Sequence, residues 1–317
     1  MVVMSKKINV WPRGGLCNRL RVVASARILA DITAANLNVG WALDSGMSAK
    51  PEDLFDNFYE NISKINCPNF RIKWDQRLKR RNVEWLNLLD QTIYNRRTIM
   101  VSENYLRSNN FTVPSTVLDG GGAIRIEGMH DFLVSGLSYS SYNTQVSSFL
   151  YNLKPTQEIC DKIPKLSEDA VGFHIRRGDN LVSTQASPTA AFRDLMKEMA
   201  RSGYRVFLST DDKQISREFQ CEWPTNVIQI PNKCFERGTL RGDKDALADL
   251  LSLSRCCKIF GSYWSSFGVY ASMFRLVPLI FVNHGPFPGA AEGIAARFES
   301  WQKDKDMFFG TWRAVKG

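Results

Sequence analysis

The sequence predicts an α/β fold of two domains with parallel sheets, and two observations support this prediction. The 317 residues are 44% hydrophobic and 11% aromatic, which is enough for two cores of ordinary size. Along the second half, short apolar runs alternate with amphipathic helical patterns, and the connections are short. This alternation is typical of a doubly wound, Rossmann-like domain, whose ligands bind at the carboxyl ends of the strands.

The first half opens with the same alternation. A strand is expected over residues 7–11, the turn Gly14-Gly15 follows, and apolar residues at helical spacing predict a helix over residues 16–30. The more polar positions of this helix are Arg19, Arg21 and Arg27. A strand over residues 37–43 completes a βαβ unit. Residues 45–115 are rich in Asn, Arg and aromatic side chains, and we expect helices and loops there that shape an acceptor surface.

The second half gives a regular series of elements. Strands are expected over residues 170–175, 204–209, 227–230, 257–261 and 278–282, and helices over residues 190–200, 215–219, 244–254 and 265–274. The tail, residues 289–301, is also expected to be helical. The chain therefore divides into an N-terminal domain, residues 1–150, and a C-terminal domain, residues 151–317.

Composition narrows the classes of partner and compartment. The formal charge of +9 favours a phosphorylated partner, and no zinc-finger spacing or RNA-recognition signature accompanies it, so nucleic acid is not expected. Seven cysteines without regular spacing argue against a disulfide framework, and three histidines argue against a histidine-rich metal site. No apolar run reaches the roughly 18 residues of a transmembrane helix. We expect a cytoplasmic protein without a transmembrane segment.

The most informative segment for function is Val-Gly-Phe-His-Ile-Arg-Arg-Gly-Asp, residues 171–179. A short apolar run delivers His174, Arg176, Arg177 and Asp179 to one strand end. Arginine side chains present forks of donors that match phosphate oxygens, and Gly178 beside the arginine pair lets the backbone turn sharply. The segment therefore predicts an anion site.

Polar clusters follow two further predicted strands. Asp211 and Asp212 come after one strand, where they are either helix caps or ligands of a ribose or base. Ser265 and Ser266 open a helix after another strand, where they either cap the helix or bind a phosphate at its N-terminus. Carboxyl ends of parallel strands share one edge of the sheet, so these clusters should line one crevice.

One acidic residue, Asp249, lies inside the apolar stretch of the helix over residues 244–254. A buried carboxylate needs a partner. A guanine base would supply two donors, and an intramolecular cap or arginine is the alternative.

The order of three segments resembles the motifs of the fucosyltransferase superfamily. This superfamily includes bacterial nodulation and core α1,6-fucosyltransferases and protein O-fucosyltransferases. The segments are residues 173–179, residues 206–212, and residues 250–254 with 261–271. The opening Gly-Gly-Leu-Cys-Asn-Arg-Leu, residues 14–20, is similar to the glycine-rich segment that opens these enzymes. The resemblance covers the second half well and the first half mainly through that opening.

The resemblance implies a GT-B architecture, in which two Rossmann-like domains face a central cleft. Residues 1–150 would form the acceptor side and residues 151–317 would bind the nucleotide sugar. The implied reaction is an inverting transfer of fucose from GDP-fucose to a hydroxyl of an oligosaccharide or glycoconjugate. Neither a metal nor another cofactor is implied.

The resemblance also implies roles for particular residues. Arg176 would hold the β-phosphate, His174 and Asp249 would contact guanine and ribose, and Asn18 would lie near donor and acceptor. The residues predicted to bind the donor are His174, Arg176, Arg177, Asp211, Asp249, Ser265, Ser266, Phe267 and Gly15. The residues predicted to act in catalysis are Arg176, Asn18 and Asp179.

The source of a general base is left open. In the α1,6 enzymes a glutamate follows the His-x-Arg-Arg motif, whereas residues 181–187 of this chain contain no carboxylate. The base is therefore Asp179, Asp44 or Asp131, or the departing phosphate takes the proton. An arginine aimed at the growing phosphate charge supplies electrostatic catalysis in either case.

Two alternative functions are also compatible with the sequence. One is a transferase of the same fold with a different nucleotide-sugar donor. The other is a noncatalytic protein that binds carbohydrate or nucleic acid. A nucleoside-triphosphate phosphotransferase is excluded, because the chain has no Gly-x-x-x-x-Gly-Lys loop.

Overall fold

The computed structural model describes residues 6–65, 98–119, 122–178, 180–263 and 265–283, and the backbone of residues 309–313. The chain forms two compact units. Unit 1 comprises Met1–Lys154 and Gly238–Leu240, and unit 2 comprises Pro155–Arg237 and Arg241–Gly317. Two predictions, the role of Asp179 and the helix over residues 289–301, lie outside the described residues.

Unit 1 contains a five-stranded parallel sheet in the order β3-β2-β1-β6-β4. Its strands are β1 Lys7–Pro12, β2 Asn36–Val39, β3 Ser63–Lys64, β4 Thr98–Val101 and β6 Ala123–Gly128. A separate parallel pair consists of β5 Thr112–Val113 and β7 Leu133–Val134. The helices are α1 Leu16–Thr33, α2 Pro51–Leu54, α3 Glu103–Ser108 and α4 Tyr139–Asn152.

Unit 2 contains a six-stranded parallel sheet in the order β10-β9-β8-β11-β12-β13. Its strands are β8 Val171–Ile175, β9 Val206–Thr210, β10 Val227–Ile228, β11 Lys258–Ser262, β12 Leu279–Asn283 and β13 Phe309–Arg313. The helices are α5 Gln157–Lys162, α6 Leu181–Ala186, α7 Thr189–Arg201, α8 Lys213–Glu222, α9 Leu240–Leu253 and α10 Ser266–Arg275.

Aromatic side chains form the centre of the core of unit 2. Phe173 of β8 is fully buried and packs edge-on against Phe260 of β11 with ring centroids 5.8 Å apart, and tilted against Phe192 of α7 at 5.9 Å. Burial of each such side chain contributes about 1.5–3 kcal/mol. On the other face, a β-carbon at Gly172 would lie 2.9 Å from Leu253 Cδ2, so α9 packs closely on β8 only because residue 172 is glycine. This packing fixes β8 in the middle of the sheet.

The predicted α/β class with parallel sheets is confirmed, and so are the predicted strands of the second half, each within about two residues. The expectation of only helices and loops over residues 45–115 is wrong, because β3, β4 and β5 lie there. The prediction also missed β6, although its side chains alternate between buried and partly exposed positions. Among the described residues, none of the helices is long and apolar enough to cross a membrane.

Candidate functional site

The sheet of unit 2 has a topological switch point between β8 and β11. From β8 the chain proceeds outward through β9 and β10, and it then returns to place β11 on the opposite side of β8. Ligands of doubly wound domains bind at such a point, outside the carboxyl ends of the strands. The polar residues that follow β8, β9 and β11 therefore define the candidate site.

His174 is the buried centre of this site, with 4% of its surface exposed. Its Nε2 lies 2.7 Å from Ser265 Oγ, and its ring stacks on Phe267 with centroids 4.9 Å apart. Burial lowers the pKa of His174 to about 3, and the positive charges of Arg176 and Lys233 act in the same direction. The imidazole is therefore neutral at pH 7 and acts through hydrogen bonding and stacking.

The first turn of α10 faces the imidazole. Ser265 occupies the N-cap position but makes no capping hydrogen bond with its side chain, because its hydroxyl pairs with His174. A β-carbon at Gly268 would lie 3.3 Å from His174 Cδ2, so the helix end sits tightly on the ring. The backbone N–H groups of this turn, beginning at Ser266, have no intrahelical acceptors. The side chain of Ser265 therefore does not cap the helix in this structure. A phosphate at this helix end, bound by Ser265 and Ser266, stays a prediction.

Arg176 and Asp211 connect the ends of β8 and β9. Arg176 Nη1 donates to Asp211 Oδ2, and the backbone N–H of Arg177 donates to Asp211 Oδ1 at 2.8 Å. A β-carbon at Gly178 would lie 2.5 Å from Asp211 Oδ2, so glycine is required for this close approach. The neighbouring Asp212 caps α8 by accepting from two backbone N–H groups. The two aspartates therefore have different roles. Asp212 caps α8, and Asp211 positions the backbone and side chain at Arg176 and Arg177.

The side chain of Arg177 is buried, and the residue is only 8% exposed. Its Nε donates to Thr189 Oγ1 at 3.0 Å, its Nη1 donates to the carbonyl of Arg176 at 2.6 Å, and its guanidinium lies 5.9 Å from the centre of the Phe192 ring. Burial lowers its pKa from the ordinary arginine value. In this structure Arg177 holds the loop that presents Arg176, and its predicted contact with a donor remains a prediction.

Asp249 has an intramolecular partner that the sequence did not suggest. Its Oδ2 accepts from Lys233 Nζ and, at 2.9 Å, from Ser209 Oγ, and Lys233 also donates to the carbonyl of Thr210 at 2.6 Å. The other oxygen, Oδ1, is buried and makes no hydrogen bond among the described residues. Burial raises the pKa of Asp249, while Lys233 opposes the rise. A single loop lysine carries no sequence signal, so only the structure reveals this pair.

In unit 1 the glycine-rich turn joins β1 to α1. Gly14 has a φ of +79°, and a β-carbon there would lie 2.9 Å from Asn18 Nδ2. Gly15 is the N-cap of α1. The turn is held by Arg19, which is fully buried and donates to the carbonyls of Gly14, Pro12 and Ala42 and to Asp44. Arg19 and Arg21, expected at polar positions of the helix, are thus buried.

The candidate bases Asp44 and Asp131 both lie near buried arginines. Asp44 Oδ2 accepts from Arg19 at 2.7 Å, and Asp44 Oδ1 accepts from the backbone N–H of Gly46 at 2.8 Å. Asp131 lies 3.6 Å from Arg21. Within the described ranges, no group of three or more His, Cys, Asp and Glu residues is arranged to hold a metal ion.

Comparison with known proteins identifies the fold. No family model and no curated protein sequence matches the chain. Among solved structures, the chain is similar to NodZ α1,6-fucosyltransferase soaked with GDP-fucose, with 19% identity over 87% of this chain and 94% of that one and a TM-score of 0.54. A structure of fucosyltransferase NodZ from Bradyrhizobium gives 20% identity, 87% and 95% coverage and a TM-score of 0.54.

More distant enzymes share the same fold. A variant of Arabidopsis thaliana FUT1 in complex with GDP aligns at 13% identity over 90% of this chain and 71% of that one, with a TM-score of 0.52. POFUT1 in complex with GDP aligns at 11% identity over 87% and 98%, with a TM-score of 0.51. The mixed α/β structure with two parallel sheets is therefore the fold of the solved fucosyltransferases.

Proposed function

We propose that this protein is a glycosyltransferase of the fucosyltransferase superfamily, which moves fucose from GDP-fucose to a hydroxyl of a glycan acceptor. In this proposal the architecture is GT-B, the reaction inverts the anomeric centre, and no metal is required. Unit 2 binds the donor and unit 1 serves the acceptor side, the roles predicted for residues 151–317 and 1–150.

The observation that carries the proposal is the arrangement at the switch point of unit 2. A neutral His174 is stacked on Phe267, Arg176 is positioned by Asp211, and the first turn of α10 adds backbone donors. An aromatic surface can stack on a nucleobase. A guanidinium and a helix N-terminus can bind a diphosphate and stabilise its negative charge. One of the similar NodZ structures was soaked with GDP-fucose and another was co-crystallised with GDP, which supports the choice of nucleotide.

The chemistry follows from charge development. As the acceptor oxygen bonds to the anomeric carbon, the bond to the phosphate oxygen breaks and negative charge grows on the diphosphate. Arg176 and the N-terminus of α10 stabilise this charge more strongly in the transition state than in the ground state. Ser265 and Ser266 contribute hydroxyl and backbone donors in the proposed arrangement, and the roles of Asn18 and Gly15 stay predictions.

The test is the thermal stability of the full chain with nucleotides. GDP is expected to raise the melting temperature, whereas UDP and ADP at the same concentration are not. Arg176→Ala should abolish the shift, and Arg176→Lys should retain only part of it, because a lysine cannot provide the two-pronged contact. Arg201→Ala is the matched control, since Arg201 is an exposed arginine in the last turn of α7. No stabilisation by millimolar GDP would refute the donor assignment.

One observation supports a different nucleotide sugar as the second candidate. Lys233 and Ser209 already occupy Oδ2 of Asp249, so only Oδ1 is left for the two donors of a guanine edge. A nucleobase with one hydrogen-bond donor would suit this single oxygen as well as guanine does. Hydrolysis of a panel of GDP-sugars and UDP-sugars separates the candidates, because the nucleotide of the preferred donor identifies the base.

A further inference from the structure

A second pair of titratable residues, outside the donor site, lies at the carboxyl edge of the sheet of unit 1. His130 follows β6, and Glu103 begins α3 directly after β4, the neighbour of β6 in the sheet. His130 Nδ1 lies 2.6 Å from Glu103 Oε1. The side chains are 19% and 35% exposed, so the pair is sheltered but reachable. The function proposed above assigns no role to this pair.

The pair stands beside the glycine-rich turn. Pro12 at the end of β1 is in register with Gly128 at the end of β6, and the backbone N–H of Arg13 donates to the carbonyl of Gly128 at 2.9 Å. A β-carbon at Gly14 would lie 3.0 Å from the sulfur of Met129, the residue before His130. The pair therefore shares one edge of unit 1 with the turn.

The surroundings of His130 favour its neutral form. Burial lowers its pKa, and the positive charge of Arg21 from α1 lowers it further, against the opposing charges of Glu103 and Asp131. The uncharged ring of Phe111 packs on the imidazole with centroids 5.6 Å apart. Because the carboxylate of Glu103 can only accept, Nδ1 carries the proton and the lone pair is on Nε2.

We propose that His130, oriented by Glu103, is the general base that deprotonates the acceptor hydroxyl; this inference rests on the proposed transferase function. Nε2 takes the hydroxyl proton as the acceptor oxygen bonds to the anomeric carbon. The bond between that carbon and the phosphate oxygen breaks, and GDP leaves with its electron pair. The imidazolium is stabilised by Glu103 and releases its proton to solvent.

The chemistry of the pair suits this role better than that of the other carboxylates. Asp44 accepts hydrogen bonds from Arg19 and from the backbone N–H of Gly46, and Asp131 lies 3.6 Å from Arg21. A neutral histidine whose second nitrogen is oriented by a carboxylate is the arrangement used for proton abstraction near pH 7.

The test measures GDP release from GDP-fucose, with water and with a panel of oligosaccharides as acceptors, beside the Kd for GDP. Loss of a general base costs roughly 10²- to 10⁴-fold in rate, so His130→Ala should lose that much activity. Glu103→Gln should lose about tenfold or more, and both variants should keep the wild-type Kd for GDP. Imidazole added to His130→Ala should restore part of the rate. Glu60→Gln, at an exposed glutamate of the same unit, is the control.

The outcomes separate the two proposals. A wild-type protein that does not bind GDP refutes the proposed function, and the base assignment falls with it. Normal GDP binding with an unchanged rate in folded His130→Ala refutes the base alone. Should His130→Ala fail to fold, the pH profile of Glu103→Gln decides. Loss of the carboxylate should move the acid limb of kcat to lower pH, and an unmoved limb contradicts the proposal.

Discussion

The glycine-rich turn of unit 1 and the strand ends of unit 2 differ in how completely the buried ionisable groups Arg19, His174 and Asp249 are hydrogen-bonded. In unit 1, Arg19 is fully buried, and its donors are taken up by three backbone carbonyls and Asp44. In unit 2, the buried groups His174 and Asp249 each keep a polar atom without a hydrogen bond among the described residues, Nδ1 and Oδ1 respectively. A satisfied buried charge holds a loop in place, whereas an unsatisfied buried acceptor or donor has a free-energy cost that a ligand can remove.

The largest loss of stability is expected on substitution of Arg19. Arg19→Ala should leave the carbonyls around the glycine-rich turn without donors and destabilise the protein by several kcal/mol, because each buried acceptor left unsatisfied costs about 1–3 kcal/mol. The measurement is the midpoint of thermal unfolding. Arg27→Ala is the control, because Arg27 pairs with Asp31 near the surface of the same helix and should change the midpoint little. An unchanged midpoint in Arg19→Ala would show that the turn needs no support.

The next effect is the pH dependence contributed by His174. Its folded pKa of about 3 lies below the ordinary value of 6.5, so it contributes stability above pH 6.5 that is lost as the pH falls toward 3. The slope from this group approaches about 1.4 kcal/mol per pH unit. Melting temperatures measured from pH 7 to pH 5 should therefore fall more steeply for the wild type than for His174→Gln. Equal slopes would mean that His174 is not buried in its neutral form.

The smallest expected effect concerns the hydrogen bond between Ser265 and His174. Ser265→Ala removes the partner of His174 Nε2 and should cost about 1 kcal/mol in stability. If Ser265 also binds the diphosphate, the Kd for GDP rises in addition, which a purely structural hydroxyl would not cause. Ser202→Ala, at an exposed serine of unit 2, should change neither quantity. An unchanged Kd for GDP in Ser265→Ala would restrict Ser265 to positioning His174.

Several features of the site could be predicted because they are local in the chain. Residues 171–175 are apolar except for His174, which is typical of a strand buried on both faces, and β8 is such a strand. The polar residues directly after the strands then had to share one edge of a parallel sheet. In contrast, β6 was not predicted. Its alternation is weak, because it depends on two buried side chains, Ile124 and Ile126, in a short segment flanked by glycines.

The α/β class, the strands of the second half and the strand ends that carry His174, Arg176 and Asp211 could be predicted from the sequence alone. The pairing of the polar groups became apparent only in the folded chain. Arg176 meets Asp211 across 35 residues, His130 meets Glu103 across 27, and Lys233 reaches Asp249 across 16. Periodicity reports which face of an element is buried, but the choice of partner depends on which strands become neighbours in the sheet.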